Sequence, residues 1–402
     1  MSVTASFALY PVARPLIAAR GIRGLAMRSL AQAAGTSVGS INYHIGDKNA
    51  LIAQLISEEA AQRQIVHGRW KRRANILMTG QAPVLAMLVL AYLDEAIASR
   101  EAAITLCELS LEAGLNPAAF PGMGVLLDGE AIFWQELLSP FYGEQAGALG
   151  YAVASYCHDE LPFSLALGMN ADYRLLRAAT IQRLSEGLAG PATGLAVSFD
   201  HLVAACGTKS TDALYPLVVD LPVGSKKAEL AAHVATVISR LGASAVTHRA
   251  VAAEAGISNS SVAHHFRTHE DLLHAGMGAL ILQMRRHITS ETSESREERR
   301  RMAAIRATHS IALAACRNPQ LLPFALDMRR RRAENVWDAV GQGLSGRADE
   351  QPDKAAIQAA VMVTIGATLA AQAHEKQAEK EVSVTALDML AQMRQAFFRA
   401  GS

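Results

Sequence analysis

At 402 residues the chain is long enough for two or more domains with sizeable cores, and 38 Lys and Arg against 37 Asp and Glu leave a net charge of +1. That balance excludes a globally cationic nucleic-acid binder, although positive charge can still be concentrated locally. Cys107, Cys157, Cys206 and Cys316 form no CxxC pair and suit neither a zinc site nor a disulfide framework, so buried free thiols in a reducing cytoplasmic setting are expected.

Taken in order, the chain reads as helical throughout, with no alternation of the kind strands require. Pro11 and Pro15 argue against a long first helix, so a short one is expected from near Pro15 to Arg20. This N-terminal stretch is therefore expected to be less firmly packed than Lys227–Leu241, which is free of proline. Short helices over Ser29–Ala34 and Val38–His44 precede a longer one from Lys48 to about His67, and Arg69–Arg73 reads as a basic connector. Helices near Pro83–Ser99 and Glu101–Ala113 lead to a Gly/Pro-rich break at Gly114–Gly124. Further helices are expected over Val125–Leu138, Glu144–Leu161, Asp172–Leu188 and Leu195–Cys206. Gly207–Ser225, with Pro216, Pro222 and Gly224, reads as a linker. Beyond it come helices over Lys227–Leu241, from Glu270 to near Thr289, over Glu297–Cys316 and over Pro323–Leu344. A loop at Gly346–Asp353 then precedes helices over Lys354–Gln377 and Ser383–Arg399, the last with an apolar face at Leu387, Leu390, Met393 and Phe397. No apolar run is read as long enough to span a membrane, and the N-terminus lacks the pattern of a signal peptide.

The organising feature is a duplication. Arg28–Leu51 reads RSLAQAAGTSVGSINYHIGDKNAL, and Arg249–Leu272, a shift of 221, reads RAVAAEAGISNSSVAHHFRTHEDL. Arg28, Ala31, Ala34-Gly35, Ser37, Ser40, His44 and Leu51 recur in place without a gap. An ungapped match at half the chain length marks two copies of one unit, not a short solenoid repeat. Within each copy a short helix meets a glycine, which accepts the turn, and then a serine N-cap opens a second helix. That is the helix-turn-helix order, whose second helix enters the major groove with its N-terminal residues nearest the bases. Gly39 and Ser40 allow close backbone approach. Asn42 can pair with an adenine edge, and Tyr43 and His44 can reach phosphates. Asp47 is expected to cap the next helix, with Lys48 in its first turn, where a positive helix end and a lysine suit a phosphate.

These residues resemble the DNA-binding domain of the tetracycline-repressor-like (TetR) family. The resemblance rests on Gly24-Leu25-Ala26-Met27-Arg28, Leu30-Ala31, Ala34-Gly35-Thr36-Ser37, Gly39-Ser40-Ile41, Tyr43-His44, Lys48 and Leu51, and extends upstream over Leu16–Gly21. In the second copy it covers Leu230–Gly242 and Val246–Leu273. It implies an all-α protein of two fused units, each a helix-turn-helix head on a helical effector and dimerisation domain. The expected domains are 1–52 and 226–273 for the heads, 53–206 and 274–402 for the effector domains, and 207–225 for the linker. The residues it places at double-stranded DNA are Arg28, Ser37, Val38, Gly39, Ser40, Asn42, Tyr43, His44 and Lys48, and in the second copy Arg249, Ser258, Asn259, Ser260, Ser261, His264, His265 and His269. In this family the last two long helices of two subunits form a four-helix dimer interface. The counterparts here, about 144–188 and 354–399, would meet within one chain as an intramolecular pseudo-dimer, with further homodimerisation open.

The copies differ where they would touch DNA. Asn42 becomes Ala263, Tyr43 becomes His264, Lys48 becomes His269 and Gly39 becomes Ser260. In the first copy, Asn42 and Ile45 stand where the family usually has aromatic residues. Net charge is +4 over residues 14–48 (Arg14, Arg20, Arg23, Arg28 and Lys48 against Asp47). Over 235–269 it is +2 (Arg240, Arg249 and Arg267 against Glu254). Two unlike heads imply an asymmetric operator, read by a ligand-responsive regulator of repressor type with a small hydrophobic effector, no cofactor and no catalysis. The alternative is a ligand sensor or interaction module that kept the fold and lost DNA binding. A third reading, an enzyme with a metal at His264, His265, His269 and His274, is weakened by the helix end and the cap at Thr268 expected between His265 and His269. His158-Asp159-Glu160 is read as a solvated turn at a helix end, not as an acid–base site. Arg299–Arg301 and Arg329–Arg332 are read as solvated helix faces, with an anionic ligand such as an acyl-coenzyme A phosphate as the sharper alternative. Phe133, Trp134, Phe324 and Trp337 are core or pocket lining.

Overall fold

The computed structural model describes residues 9–77, 85–188, 190–207, 221–222, 224–286, 294–334, 337–344 and 352–374. Most of the expected linker and of the Gly346–Asp353 loop lies outside them. So do the Ser383–Arg399 helix and the side chains of Arg299–Arg301. No strand occurs among the described residues. The helices are α1 (Tyr10–Arg20), α2 (Met27–Ala33), α3 (Val38–His44), α4 (Lys48–Leu77), α5 (Leu85–Ala98), α6 (Arg100–Ala113), α7 (Met123–Tyr142), α8 (Ala146–Leu167) and α9 (Ala171–Ser185). After them come α10 (Phe199–Ala205), α11 (Lys226–Leu241), α12 (His248–Ala255), α13 (Asn259–His265), α14 (His269–Arg286), α15 (Glu294–Ala315), α16 (Leu322–Arg330), α17 (Trp337–Leu344) and α18 (Lys354–Gln372). They fall into two compact units. Unit 1 is Met1–Leu161, Ala178–Val197 and Asp338–Ser402; unit 2 is Pro162–Arg177 and Ser198–Trp337.

In unit 1, α1 starts at Tyr10, earlier than expected, and carries Pro15 inside it. Pro11 sits in the first turn, where its missing N–H costs nothing. Pro15 does forfeit a helix bond, worth about 3 kcal/mol in an interior position. Leu9, Tyr10, Ala13 and Ile17 lie along one buried face. Burying each large side chain returns roughly 1.5–3 kcal/mol, so packing overrides the proline. The helix α4 runs ten residues past the expected His67, to Leu77, so Arg69–Arg73 is a helix face and not a connector. Three of its charges are met by other helices. Arg69 and Arg73 pair with Glu95 of α5, and Lys71 with Glu136 of α7. A basic run balanced by acids from distant sequence cannot be told from a connector by composition.

Pro162 does not end α8, which continues to Leu167. Asp159 and Glu160 are fully buried in mid-helix, where Glu160 accepts a hydrogen bond from the Tyr156 hydroxyl at 3.1 Å and His158 lies 2.8 Å from Ser110. The expected solvated turn is therefore a buried polar seam. The same unit takes in α18, from the far end of the sequence. Asp353 caps α18 through the Ala356 amide at 3.1 Å and also accepts from Arg183 of α9 at 2.7 Å. Gly366 lies so close to α8 that a Cβ there would stand 1.8 Å from the Ser155 carbonyl oxygen. By length and apolarity α18 could cross a membrane, contrary to the reading that no run was long enough, but 72% of its apolar window is buried inside the protein. That is the environment of a core helix.

The core of unit 2 joins Phe163, Leu167 and Tyr173 to the helices of the second head and to α15 and α16. The stretch expected as one helix over Pro323–Leu344 is two, α16 and α17, with Ala333 between them at a positive φ of 74°. Arg329 and Arg332 are buried, not solvated. Arg332 donates to Thr308 at 2.9 Å and lies 5.0 Å above the Phe163 ring, while Arg330 and Arg331 pair with the buried Asp327. Cys107, Cys157 and Cys206 are buried free thiols, but Cys316 is half-buried.

Candidate nucleic-acid interface

The first head turns between α2 and α3 at Gly35, whose φ of +65° is the left-handed conformation that glycine tolerates best. The Thr36 amide donates back to the Ala31 carbonyl at 2.9 Å and closes the turn. Ser37 then caps α3, its hydroxyl accepting from the Ser40 amide at 3.0 Å. One residue of α3 points inward: Ile41, with no exposed surface. That single anchor orients the rest of the helix. Gly39, Asn42, Tyr43 and His44 are exposed, and Val38 and Ser40 half-buried. Tyr43 is 86% exposed, unusual for a large aromatic, and packs edge-on against the neighbouring His44 ring at 5.1 Å. Asp47 caps α4 through the Ala50 amide at 2.9 Å, which sets the exposed Lys48 in the first turn.

The second head repeats this geometry. Gly256 has φ +66°, the Ile257 amide returns to Ala252 at 3.0 Å, and Ser258 caps α13 through Ser261 at 3.2 Å. Val262 takes the place of Ile41 and is also fully buried. Arg249, Asn259, Ser260, Ser261, His264 and His269 are exposed and His265 is half-buried. The Ser258 hydroxyl also meets those of Ser260 and Ser261, at 2.9 and 2.8 Å. Every residue expected at DNA thus has some exposed surface, on or beside a recognition helix.

Three details refine the sequence reading. The positive charge of the first head is partly turned inward: Arg14 pairs with Glu59 and Arg23 with Glu112. Arg28 and Lys48 are the exposed cations at the starts of α2 and α4. In the second head Arg240 pairs with Glu254, while Arg249 and Arg267 are exposed. Second, burial and the neighbouring His248 lower the pKa of His269, so at neutral pH it carries less positive charge than the lysine at the matching position. Third, one cap went unread: Thr247 caps α12 through Ala250 at 3.0 Å. The cap expected at Thr268 is present, and Asp271 makes it reciprocal, at 3.0 and 3.3 Å. The spacing of Thr268 and Asp271 is a capping-box pattern visible in the sequence. His265 and His269 lie on different helices, and no group of three or more metal-capable side chains occurs among the described residues.

The profile of the bacterial regulatory proteins of the tetR family matches the chain twice, over residues 9–55 and 235–275. These segments contain both turns, both recognition helices and both inward anchors. No curated protein matches the chain.

Proposed function

From a chain that carries the tetR-family head twice, and is accordingly a DNA-binding transcriptional regulator, we propose a ligand-responsive repressor that reads an asymmetric operator with two unlike heads. The observation that carries this reading is the pairing of a shared inward design with divergent outward residues. Caps, turn glycines and the Ile41/Val262 anchor are kept, so both recognition helices are held for groove entry. Asn42, Tyr43 and Lys48 face Ala263, His264 and His269 at matching positions, so unlike half-sites are expected. The residues assigned to DNA are those set out above for each head.

We take the heads as residues 1–52 and 226–273, on effector domains 53–206 and 274–402. The contacts of α18 with α8 and α9 support a pseudo-dimer built within one chain, because helices from opposite halves of the sequence pack as a dimer interface would. A small hydrophobic effector would act by binding the conformation with the wrong head spacing better than the DNA-bound one. The body of the first half offers aromatic surface for it. His67 stacks on Phe133 at 4.0 Å, Tyr92 meets Trp134 at 5.0 Å, and the buried Trp70 and Trp134 indole N–H groups have no hydrogen-bond partner among the described residues.

The test is selection of bound fragments from genomic DNA by the purified chain at two salt concentrations. Two unlike half-sites about one helical turn apart, with salt-dependent affinity, are expected. A perfect palindrome would overturn the asymmetric reading, and no enrichment at either salt would point instead to a sensor without DNA binding.

A further inference from the structure

Each head sits on its body through two seats, and the two copies build those seats from opposite chemistry. The first seat is where the opening helix of the head crosses the long helix of the body. In unit 1 this crossing is polar and titratable. Tyr10 of α1 donates to the Glu59 carboxylate of α4, and Arg14 reaches both. The Arg14–Glu59 distance is 3.0 Å, the guanidinium lies 4.0 Å above the Tyr10 ring, and Glu59 is 2% exposed. The same register positions in unit 2 are Ala231, Ala235 and Leu280, all buried in one apolar core. There α11 lies so close on α14 that a Cβ on Gly276 would stand 2.2 Å from Val234.

The second seat is the turn after that opening helix. Gly21 and Gly242 both have positive φ, and both present the next amide to a side chain of the body. In unit 1 the Ile22 amide donates to the Glu108 carboxylate of α6 at 3.1 Å, and Arg23 adds an ion pair to Glu112 at 2.6 Å. In unit 2 the Ala243 amide donates to the Ser310 hydroxyl of α15 at 2.6 Å, and Ser244 stands where Arg23 would be.

We propose that Glu59 and Glu108 are positioning residues for DNA recognition by the first head, which is the adjustable one of the pair, while the second head is a fixed anchor. The proposal rests on both heads being DNA-binding. An apolar seat is indifferent to pH and little affected by salt. A polar seat buried away from water is costly when disturbed, and a carboxyl in it makes its strength depend on protonation. Burial pushes the Glu59 carboxyl up to about 7, against the pull of Arg63 and with a further push from Glu130. The groups around it are Tyr10 and Arg14 of α1, Arg63 of α4 and Glu130 of α7, with Glu101 of α6 acting on Arg14. Lifting α1 off α4 would expose Glu59 and return it to the ordinary carboxylate range. The seated head therefore holds its proton to higher pH than the lifted one. Seating is favoured most below the ordinary range, weakens as pH rises towards 7, and levels off above. Leu280 gives the second head nothing to titrate.

Hydrogen exchange on the full chain without DNA tests this, comparing residues 10–20 and 38–44 with 226–241 and 259–265. Between about pH 5.5 and about pH 7.5, after correction for intrinsic exchange, opening of the first set should rise about tenfold and of the second less than about twofold. Glu59→Gln should flatten the first response while the head stays folded. Glu108→Ala should loosen residues 21–25, and Glu108→Gln, which keeps an acceptor, should restore them. Equal responses in both heads, or a Glu59→Gln protein that keeps the pH response, would overturn the asymmetry. On fragments selected by the wild type, Glu59→Gln and Glu108→Ala should alter protection of one half-site and spare the other. Unchanged footprints would overturn the recognition role alone, whereas a wild type that selects no DNA would remove that role together with the regulator reading.

Discussion

In α3 the inward residue is Ile41 and in α13 it is Val262, both fully buried, and each helix opens on a serine whose hydroxyl accepts from the amide three residues on. Outward, Asn42, Tyr43 and Lys48 in the first head stand against Ala263, His264 and His269 in the second. What a recognition helix needs in order to exist is the same in both copies; what it presents outward is not. The first head offers a bidentate amide, an 86% exposed tyrosine and a full positive charge. The second offers a methyl group, imidazoles and a ring of serine hydroxyls.

The comparison is broken most severely by removing one head at a time. Ile41→Asp or Val262→Asp would bury a carboxylate without a partner, at a cost of several kcal/mol, on the order of 3 or more. Each should abolish protection of one half-site. The loss in overall affinity, measured by DNA titration, should be larger for Ile41→Asp, and equal losses would mean that the outward differences carry little energy. Asn42→Ala, which copies the second head's residue, should cost about 1–3 kcal/mol at one base pair and relax selection there in a repeat of the fragment enrichment. Smaller again is the effect of exchanging charge. Lys48→His should lower the slope of log affinity against log salt by about one, and His269→Lys should raise it by about one. An unchanged slope in the second case would place His269 away from phosphate. Smallest is the loss of a cap: Ser37→Ala and Ser258→Ala should each destabilise by about 1 kcal/mol, read as equal shifts in thermal unfolding of the two heads.

The heads were legible in the sequence because their chemistry is local. Gly35 and Ser37, and Gly256 and Ser258, make their bonds within a few residues, so spacing alone fixes the turn and the cap. Asp47 caps α4 and Lys48 stands in its first turn, as their positions implied. The bodies were much less legible. Nothing near Arg69 announces Glu95, and nothing near Arg329 or Asp159 signals burial, because the partners of such groups come from other helices. Pro15 misled for the same reason: the apolar face that holds α1 together is completed by residues far along the chain. The seats of the heads were invisible, since Ile22 meets Glu108 and Ala243 meets Ser310 only in the fold. The register shift that reveals the duplication would place Leu280 opposite Glu59, but only the crossing of α1 on α4 shows that those positions matter.

The packing of α18 into unit 1 also sets a timetable. The helices α6, α7 and α8 leave the ribosome well before their partner, which begins about 190 residues after Leu161. At roughly 5–20 residues per second that is a wait of about 10–40 s. Through that interval the apolar surface that α18 will cover stands open, next to a head whose own motifs are already complete. On the pseudo-dimer proposed above, the duplicated chain exchanges the concentration dependence of a two-subunit assembly for a delay fixed by the speed of translation. Its vulnerable moment falls late in synthesis, when a chaperone or a nascent neighbour can still reach the uncovered face.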